Sequence, residues 1–195
     1  MNPVELRTDR LLLSVPELRD VDTITALCQD PEVQRWTTVP SPYARQHAVG
    51  FVDSAQRGWR DGTPLIWALR EPRSGQVLGA VDLHDVDEGE AEIGYWLGRP
   101  HRGSALMAEA AGAVCDFGFG QLALQRITWH AFVPNRASAA VARAVGFRFE
   151  GTARLGAPQR GARHDEWQGG LLAGDPRHDP GDWPAETLRS AEAAE

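Results

Sequence analysis

Apolar positions along this chain follow two rhythms, a helical one of about 3.6 residues and a strand one of two, and they change over in blocks. Leu11-Leu12-Leu13-Ser14-Val15 reads as a short strand after a charged entry. Leu18, Val21, Ile24 and Leu27 have helical spacing, with Asp20 and Asp22 near the positive end of that helix, and Pro31 closes it. A loop carrying Pro40 and Pro42 leads from Trp36 to a second helix over 44–59. The period then shortens. Strands over 65–69 and 77–83 are joined by the turn Pro72-Arg73-Ser74-Gly75, and an acidic turn over 85–89 leads to a strand over 92–97. Three short strands in a row with tight turns predict an antiparallel meander.

A helix from Ser104 to Phe117 follows, with Met107, Ala110, Ala111, Val114 and Cys115 on one face. Next come a strand over 127–133, a helix over 135–145 ended by Gly146, and strands over 147–150 and 166–172. After Gly174, Pro176, Pro180, Gly181 and Pro184 break regularity, and 186–195 reads as a peripheral helix. The pattern predicts one mixed α/β (α+β) domain over 1–173 with a largely antiparallel sheet, and a Pro/Gly-rich tail over 174–195 that is partly flexible or a peripheral helix.

Composition narrows the function classes. With 42% hydrophobic and 24% charged residues, the chain is that of a globular protein. No apolar run reaches the ~18 residues of a membrane span, and the start reads as no signal peptide. Cys28 and Cys115 make no disulfide framework, so the expected home is cytoplasmic. A net charge of -7 disfavours nucleic acid and leaves cationic small partners open.

Several chemistries drop out on context. Gly118-Phe119-Gly120-Gln121-Leu122-Ala123 resembles a dinucleotide loop but follows a helix and precedes a strand, the reverse of what that loop needs. Asp85, Asp87 and Glu90 resemble a calcium loop, yet Glu90 stands where its glycine belongs. The six histidines contain no i,i+4 pair, and there is no Cys-x-x-Cys, so no metal is expected. Neither a phosphate-loop Gly-Lys-Ser/Thr nor a Gly-x-Ser-x-Gly elbow occurs.

One junction carries chemistry. The strand ending Tyr95-Trp96-Leu97 passes through Gly98-Arg99-Pro100-His101 into Arg102-Gly103-Ser104-Ala105-Leu106-Met107, which opens a helix. Small residues there leave backbone N–H groups accessible at a positive helix end, which suits an anion such as a pyrophosphate. A plain strand-to-helix turn reads these residues equally well. Downstream, Asn135-Arg136-Ala137-Ser138 opens another helix after a strand. Asn135 is a good N-cap, and the two helix starts could also face one cleft.

With these segments in order, the chain resembles the GNAT superfamily of acyl-CoA-dependent N-acyltransferases, in its RimJ/RimL-like branch. The resemblance runs from Leu6-Arg7-Thr8-Asp9-Arg10-Leu11-Leu12-Leu13 through Pro31–Trp36 and Ala91–Leu97 to Asn135-x-x-Ser138 and Gly146-Phe147-x-x-Glu150-Gly151-Thr152. It implies a twisted, mostly antiparallel sheet of six to seven strands flanked by about four helices. The family's Gln/Arg-x-x-Gly-x-Gly/Ala motif falls on Arg102, Gly103, Ser104, Ala105, Leu106 and Met107, with Ala105 in place of its first glycine. The Cβ of Ala105 narrows the approach to the phosphates and opposes a positive φ. Trp96, Leu97 and Gly98 would run beside the pantetheine arm, and Asn135 and Ser138 would reach its amides and sulfur.

The resemblance implies acetyl transfer from acetyl-CoA to an amine, either a protein N-terminal α-amine or a small molecule, by direct attack in a ternary complex. An alkylammonium, with a pKa near ~10.4, must first lose a proton. Candidate bases are Glu92 and Asp82, with His84 on the face of Asp82; each also reads as a surface charge, and an amine arriving neutral needs no base. The Leu97 N–H is the candidate oxyanion donor. For the leaving thiolate the family often uses a tyrosine near position 142; Ala142 stands there, and Ser138 is the substitute. Trp36 and Tyr43 would wall the acceptor pocket, with loops over 36–43 and 154–165 shaping it, whereas Trp67 reads as core. Branch relatives are often dimers, which implies a homodimer. A rival reading, an acyl-CoA-binding regulatory or interaction module with weak catalysis, is motivated by Ala105, Ala142 and the unassigned base.

Overall fold

A computed structural model of the chain describes residues 1–188. Its strands are β1 (Leu6–Arg7), β2 (Leu12–Ser14), β3 (Leu65–Arg70), β4 (Val77–Asp87), β5 (Glu90–Leu97), β6 (Arg126–Phe132), β7 (Arg148–Gln159) and β8 (Ala162–Leu172). The α-helices are α1 (Val21–Cys28), α2 (Pro31–Trp36), α3 (Arg45–Asp61), α4 (Leu106–Gln121), α5 (Arg136–Val145) and α6 (Ala185–Leu188). One eight-stranded sheet has the order β1-β2-β3-β4-β5-β6-β8-β7. Every neighbouring pair is antiparallel except β5 and β6. This is the expected mixed α/β sheet, with one strand more than the upper expectation because Leu6–Arg7 pairs with Leu12–Leu13 at the edge.

Two local expectations change. Pro31 does not merely end α1; it opens α2, whose start is capped by Asp30 Oδ1 accepting from the Glu32 N–H at 3.0 Å. Proline suits a first helical position because the N–H it lacks has no intrahelical partner there. The expected 154–165 loop is instead the two arms of the β7–β8 hairpin. Its tip, Gln159-Arg160-Gly161-Ala162, has positive φ at Arg160 (48°) and Gly161 (82°), the backbone of a tight hairpin turn.

Helices cover both faces of the sheet. Met107, Ala110, Ala111, Val114 and Phe117 of α4, with Ala139 and Ala142 of α5, join Trp67, Val81, Leu83, Ile93 and Trp129 in one core. Trp67 is indeed core, edge-on to Trp59 and Phe117. Val21, Ile24 and Cys28 of α1 and Ala48 and Val52 of α3 form a second core with Ala68 and Val77. Between elements, Arg70 and Asp20 make a buried bidentate pair with 2.8 and 2.7 Å contacts. The tail returns to the domain, where Trp183 is buried and donates to the Phe147 carbonyl at 2.9 Å. The helix expected over 186–195 is seen as Ala185–Leu188, and 189–195 lie outside the described residues. Among the described residues no helix is long and apolar enough to cross a membrane.

Candidate active site

The parallel pair is short. β5 and β6 are in register only at Glu90–Glu92 against Arg126–Thr128, after which the two strands part. Beyond that point β6 pairs with β8 and β5 with β4, so a cleft opens between them and runs through the sheet. Its volume is about 790 Å³, within the range of small-molecule sites. It is lined by Trp36, Tyr43, Asp82, His84, Glu92, Trp96, Leu97, Arg102, Gly103, Met107, Asn135 and Ser138, all expected from the sequence. Gly98, Ser104, Ala105 and Leu106 do not line it. Gly98 is a packing glycine instead, since a Cβ there would lie 2.5 Å from Leu27 and 3.1 Å from the Leu78 carbonyl.

On one side of the sheet the junction before α4 forms the mouth. Gly103 has a φ of 81° and Ala105 a φ of 59°, so the turn enters the left-handed region twice. The expected barrier at Ala105 therefore does not prevent the turn; it is overcome at a strain of roughly 1–2 kcal/mol. Among the described residues, the amides of Gly103, Ser104, Ala105 and Leu106 donate to no protein acceptor. Together with the positive end of a sixteen-residue helix they suit an anion. Arg10 donates to the Ser104 carbonyl at 2.8 Å and is ion-paired with Glu109 of the first α4 turn at 2.6 Å, which braces the turn. Arg102 is held across the mouth by Asp30 at 2.7 Å and by the Leu97 carbonyl at 2.9 Å.

Replacing Ala105 with glycine should relieve the positive-φ strain, less the roughly 0.5–1 kcal/mol that glycine loses in backbone entropy. The expected result is an equal or slightly higher Tm and equal or tighter coenzyme A binding. Markedly weaker binding would show that the alanine methyl is itself required.

The ladder sets the direction of the Leu97 amide. Gly98 N–H bonds the Leu78 carbonyl at 2.9 Å, which makes Gly79 and Leu97 a non-hydrogen-bonded pair of the antiparallel ladder. The N–H and C=O of Leu97 therefore turn away from β4, toward the gap that β6 has left. Arg102 takes the carbonyl, and the N–H faces the cleft.

On the α4–α5 side a closed hydrogen-bond circuit surrounds Ser138. Asn135 Oδ1 caps α5 by accepting from the Ser138 N–H at 3.1 Å. Ser138 Oγ accepts from Trp129 Nε1–H at 3.0 Å and donates to the Tyr95 hydroxyl at 3.2 Å, which in turn donates to the Ser138 carbonyl at 2.9 Å. Burial pushes the Tyr95 phenol well above its ordinary range, so it stays protonated. Tyr95 and Trp129 were not anticipated as site residues; as alternating strand residues they read as core. Ala142 is buried in that core and offers no hydroxyl, as expected.

The opposite face holds the titratable groups. Period-two alternation puts Asp82 and His84 of β4 on one face, with Gly94 and Glu92 of β5 directly opposite. His84 Nδ1 lies 2.7 Å from Asp82 and its Nε2 3.5 Å from Glu92, while His130 Nδ1 lies 2.9 Å from the other Glu92 oxygen. Asp82 and then Glu92 hold the His84 imidazolium, pushing its pKa up to about 10. Burial alone would raise Glu92, but hydrogen bonds from His130 and His84 outweigh it and bring the carboxyl down to about 2. Burial raises the Asp82 carboxyl despite His84. His84, which the sequence offered among the candidate bases and as a neighbour of the substrate, is thus an ion-paired cation. His130 was missed because only the strand register, and no spacing in sequence, brings it to Glu92.

Trp36 lines the cleft with its indole N–H on Glu32 at 2.8 Å and the Arg35 guanidinium 4.5 Å from its ring centre. Tyr43 sits deeper and is buried. The β7–β8 hairpin tip roofs this side, where Gln159 donates to the Arg35 and Thr37 carbonyls and Arg160 to those of Gln34 and Val39.

Residues 10–148 match the family profile of the acetyltransferase (GNAT) domain. The uncharacterized N-acetyltransferase p20 of Bacillus licheniformis is 28% identical over 169 residues, covering 86% of this chain and 95% of that protein. Two solved structures share the fold. RimJ of Mycobacterium smegmatis in complex with CoA-disulfide has a TM-score of 0.77 at 21% identity, covering 88% of this chain and 87% of its own. RimL, the ribosomal L7/L12 α-N-protein acetyltransferase in complex with coenzyme A, has a TM-score of 0.79 at 19% identity, covering 87% and 98%. The chain belongs to the GNAT family of N-acetyltransferases.

Proposed function

We propose that this protein moves the acetyl group of acetyl-CoA to a primary amine by direct attack, with the two substrates entering the cleft from opposite faces of the sheet. The parting of β5 and β6 after Glu92 and Thr128 carries this reading, because it connects the anion-suited turn before α4 to the carboxylate and imidazole groups on the other face. The amides of Gly103–Leu106 hold the diphosphate. Trp96, Leu97 and Asn135 line the path of the pantetheine arm. The Leu97 N–H meets the oxygen on which negative charge develops during attack. Ser138 swings its hydroxyl proton from Tyr95 to the departing sulfur; with a thiol pKa near ~8.5, a hydrogen bond suffices there.

The acceptor is a cationic amine drawn by Asp82, Glu92 and Glu166 along the cleft wall. A protein N-terminal α-amine is the acceptor class of the RimL relative, and small-molecule amines suit the same charge. The chain acts in the cytoplasm, as a homodimer on the pattern of its branch.

The test is thiol release from acetyl-CoA against a panel of N-terminal peptides, polyamines and aminoglycosides. Release that depends on the acceptor, with the acetylated amine seen by mass spectrometry, is expected. Tight acetyl-CoA binding with no such release would favour the acyl-CoA-binding module instead.

A further inference from the structure

We propose that His130 is the general base of this transfer, taking the proton of the incoming ammonium on its Nε2, and that Glu92 is its positioning residue. The inference rests on the amine-transfer reading and assigns the role that reading leaves open.

Asp82, His84, Glu92 and His130 of the central strands and Glu166 of β8 line this face and could accept a proton. Glu166 Oε2 already accepts from Gln168 Nε2 at 3.0 Å, and geometry removes Asp82, His84 and Glu92. Both nitrogens of His84 face carboxylates, at 2.7 and 3.5 Å, so no lone pair is free. Asp82 is joined to His84 through Oδ1. Glu92 has one oxygen toward each imidazole. That clamp makes it a poor base, in keeping with its depressed pKa.

His130 differs. Its Nδ1 lies 2.9 Å from Glu92 Oε2, while its Nε2 has no partner among the described residues. A carboxylate this close to Nδ1 favours the Nδ1–H tautomer and so a lone pair on Nε2, the arrangement by which a carboxylate orients a catalytic imidazole.

Position agrees. Thr128 is the last β6 residue paired with β5, opposite Glu92, and His130 lies two residues further on the same face, where the strands have parted. It lines the cleft with Phe132. The charged groups around it are Glu92 on β5, His84 on β4, Glu166 on β8 and Glu150 on β7. Glu92, and less strongly Glu166, raise its pKa above the ordinary 6.5, with burial and His84 opposing them.

The ammonium passes one proton to His130 Nε2, and the neutral amine forms the C–N bond to the thioester carbonyl. The C–S bond then breaks. The second amine proton ends on the departing sulfur by way of the Ser138 hydroxyl, and His130 returns its proton to solvent.

Three measurements test this. In the pH profile of kcat/KM, wild type should lose activity on the acid side with an apparent pKa above that of free imidazole. His130→Ala should lower kcat by about 100- to 1,000-fold, remove that acid limb, respond to added imidazole, and bind acetyl-CoA within twofold of wild type. Glu92→Gln should keep a limb but shift it to lower pH. The ¹⁵N shifts of His130 in the unliganded protein should report the Nδ1–H tautomer and an elevated pKa, whether or not the right amine has been found. An intact acid limb in His130→Ala, or an Nε2–H tautomer, would overturn the assignment even if acetyl transfer is confirmed. A wild type that transfers to no amine while its His130 titrates as expected would instead overturn the transfer reading.

Discussion

Replacing Ser138 with alanine should lower kcat by about ten- to a hundredfold while the KM for acetyl-CoA stays within a fewfold of wild type. That split is expected because the hydroxyl acts as the sulfur departs and does little for ground-state binding. The anion-suited turn before α4 and the Asn135 cap of α5 lie outside the change. Trp129 Nε1 loses its acceptor, so a stability cost of roughly 1–3 kcal/mol should accompany the rate effect. Tyr95→Phe offers a contrast. It removes the group that receives the Ser138 proton but leaves the serine, so its rate effect should be much smaller. An unchanged kcat in Ser138→Ala would remove this residue from the mechanism.

Replacing Asp20 with asparagine should destabilise the fold by about 3–5 kcal/mol, since it leaves the buried Arg70 guanidinium without its counter-charge. Arg70 reaches Asp20 through two nitrogens, and its other bonds, to Ser14 Oγ and the Val15 and Gly75 carbonyls, are all neutral. Asp20 also accepts from the Glu17 N–H at 2.8 Å. Burial would raise this carboxyl, but Arg70 overcomes it and holds the pKa below the ordinary 3.8. A group depressed in the folded state stabilises above its unfolded pKa and loses that contribution as pH falls through the folded one. Wild type should therefore lose this stabilisation below about pH 4, and Asp20→Asn should show a flatter acid limb. Urea titrations at pH 7 and in the acid range measure both effects. A cost under 1 kcal/mol at pH 7 would contradict the pair's role.

The strand-to-helix junction was legible in the sequence because its information is local. Gly103, the small residues after it and the onset of helical spacing all lie within a few residues of one another. The meander over β3, β4 and β5 was legible for the same reason. The β7–β8 hairpin was obscured. Gly151, Gly156 and Pro158 interrupt the alternation of β7, and as an edge strand it needs little apolar patterning. Asp30 shows a subtler gap: Pro31 reads as the close of α1, and nothing nearby in sequence announces that Asp30 binds Arg102 of the cleft mouth.

The acceptor face depends on register. Asp82, His84 and Glu92 could be placed on neighbouring strands from their alternation, and all three were candidates. His130 entered only when β6 was found in parallel register with β5, an arrangement that needs a long crossover and leaves no local mark. Ser138 was singled out from its place at a helix start, but its partners Tyr95 and Trp129 lie on two other strands. In each case the missing information was a contact between residues distant in sequence.

On the proposed mechanism the gap between β5 and β6 admits a coenzyme A thioester, with the exposed amides of Gly103–Leu106 gripping its diphosphate. Calorimetric titration of the protein with acetyl-CoA tests it most directly. Saturable binding at one molecule per chain is the predicted result, and the absence of any binding heat over a range of temperatures would contradict it.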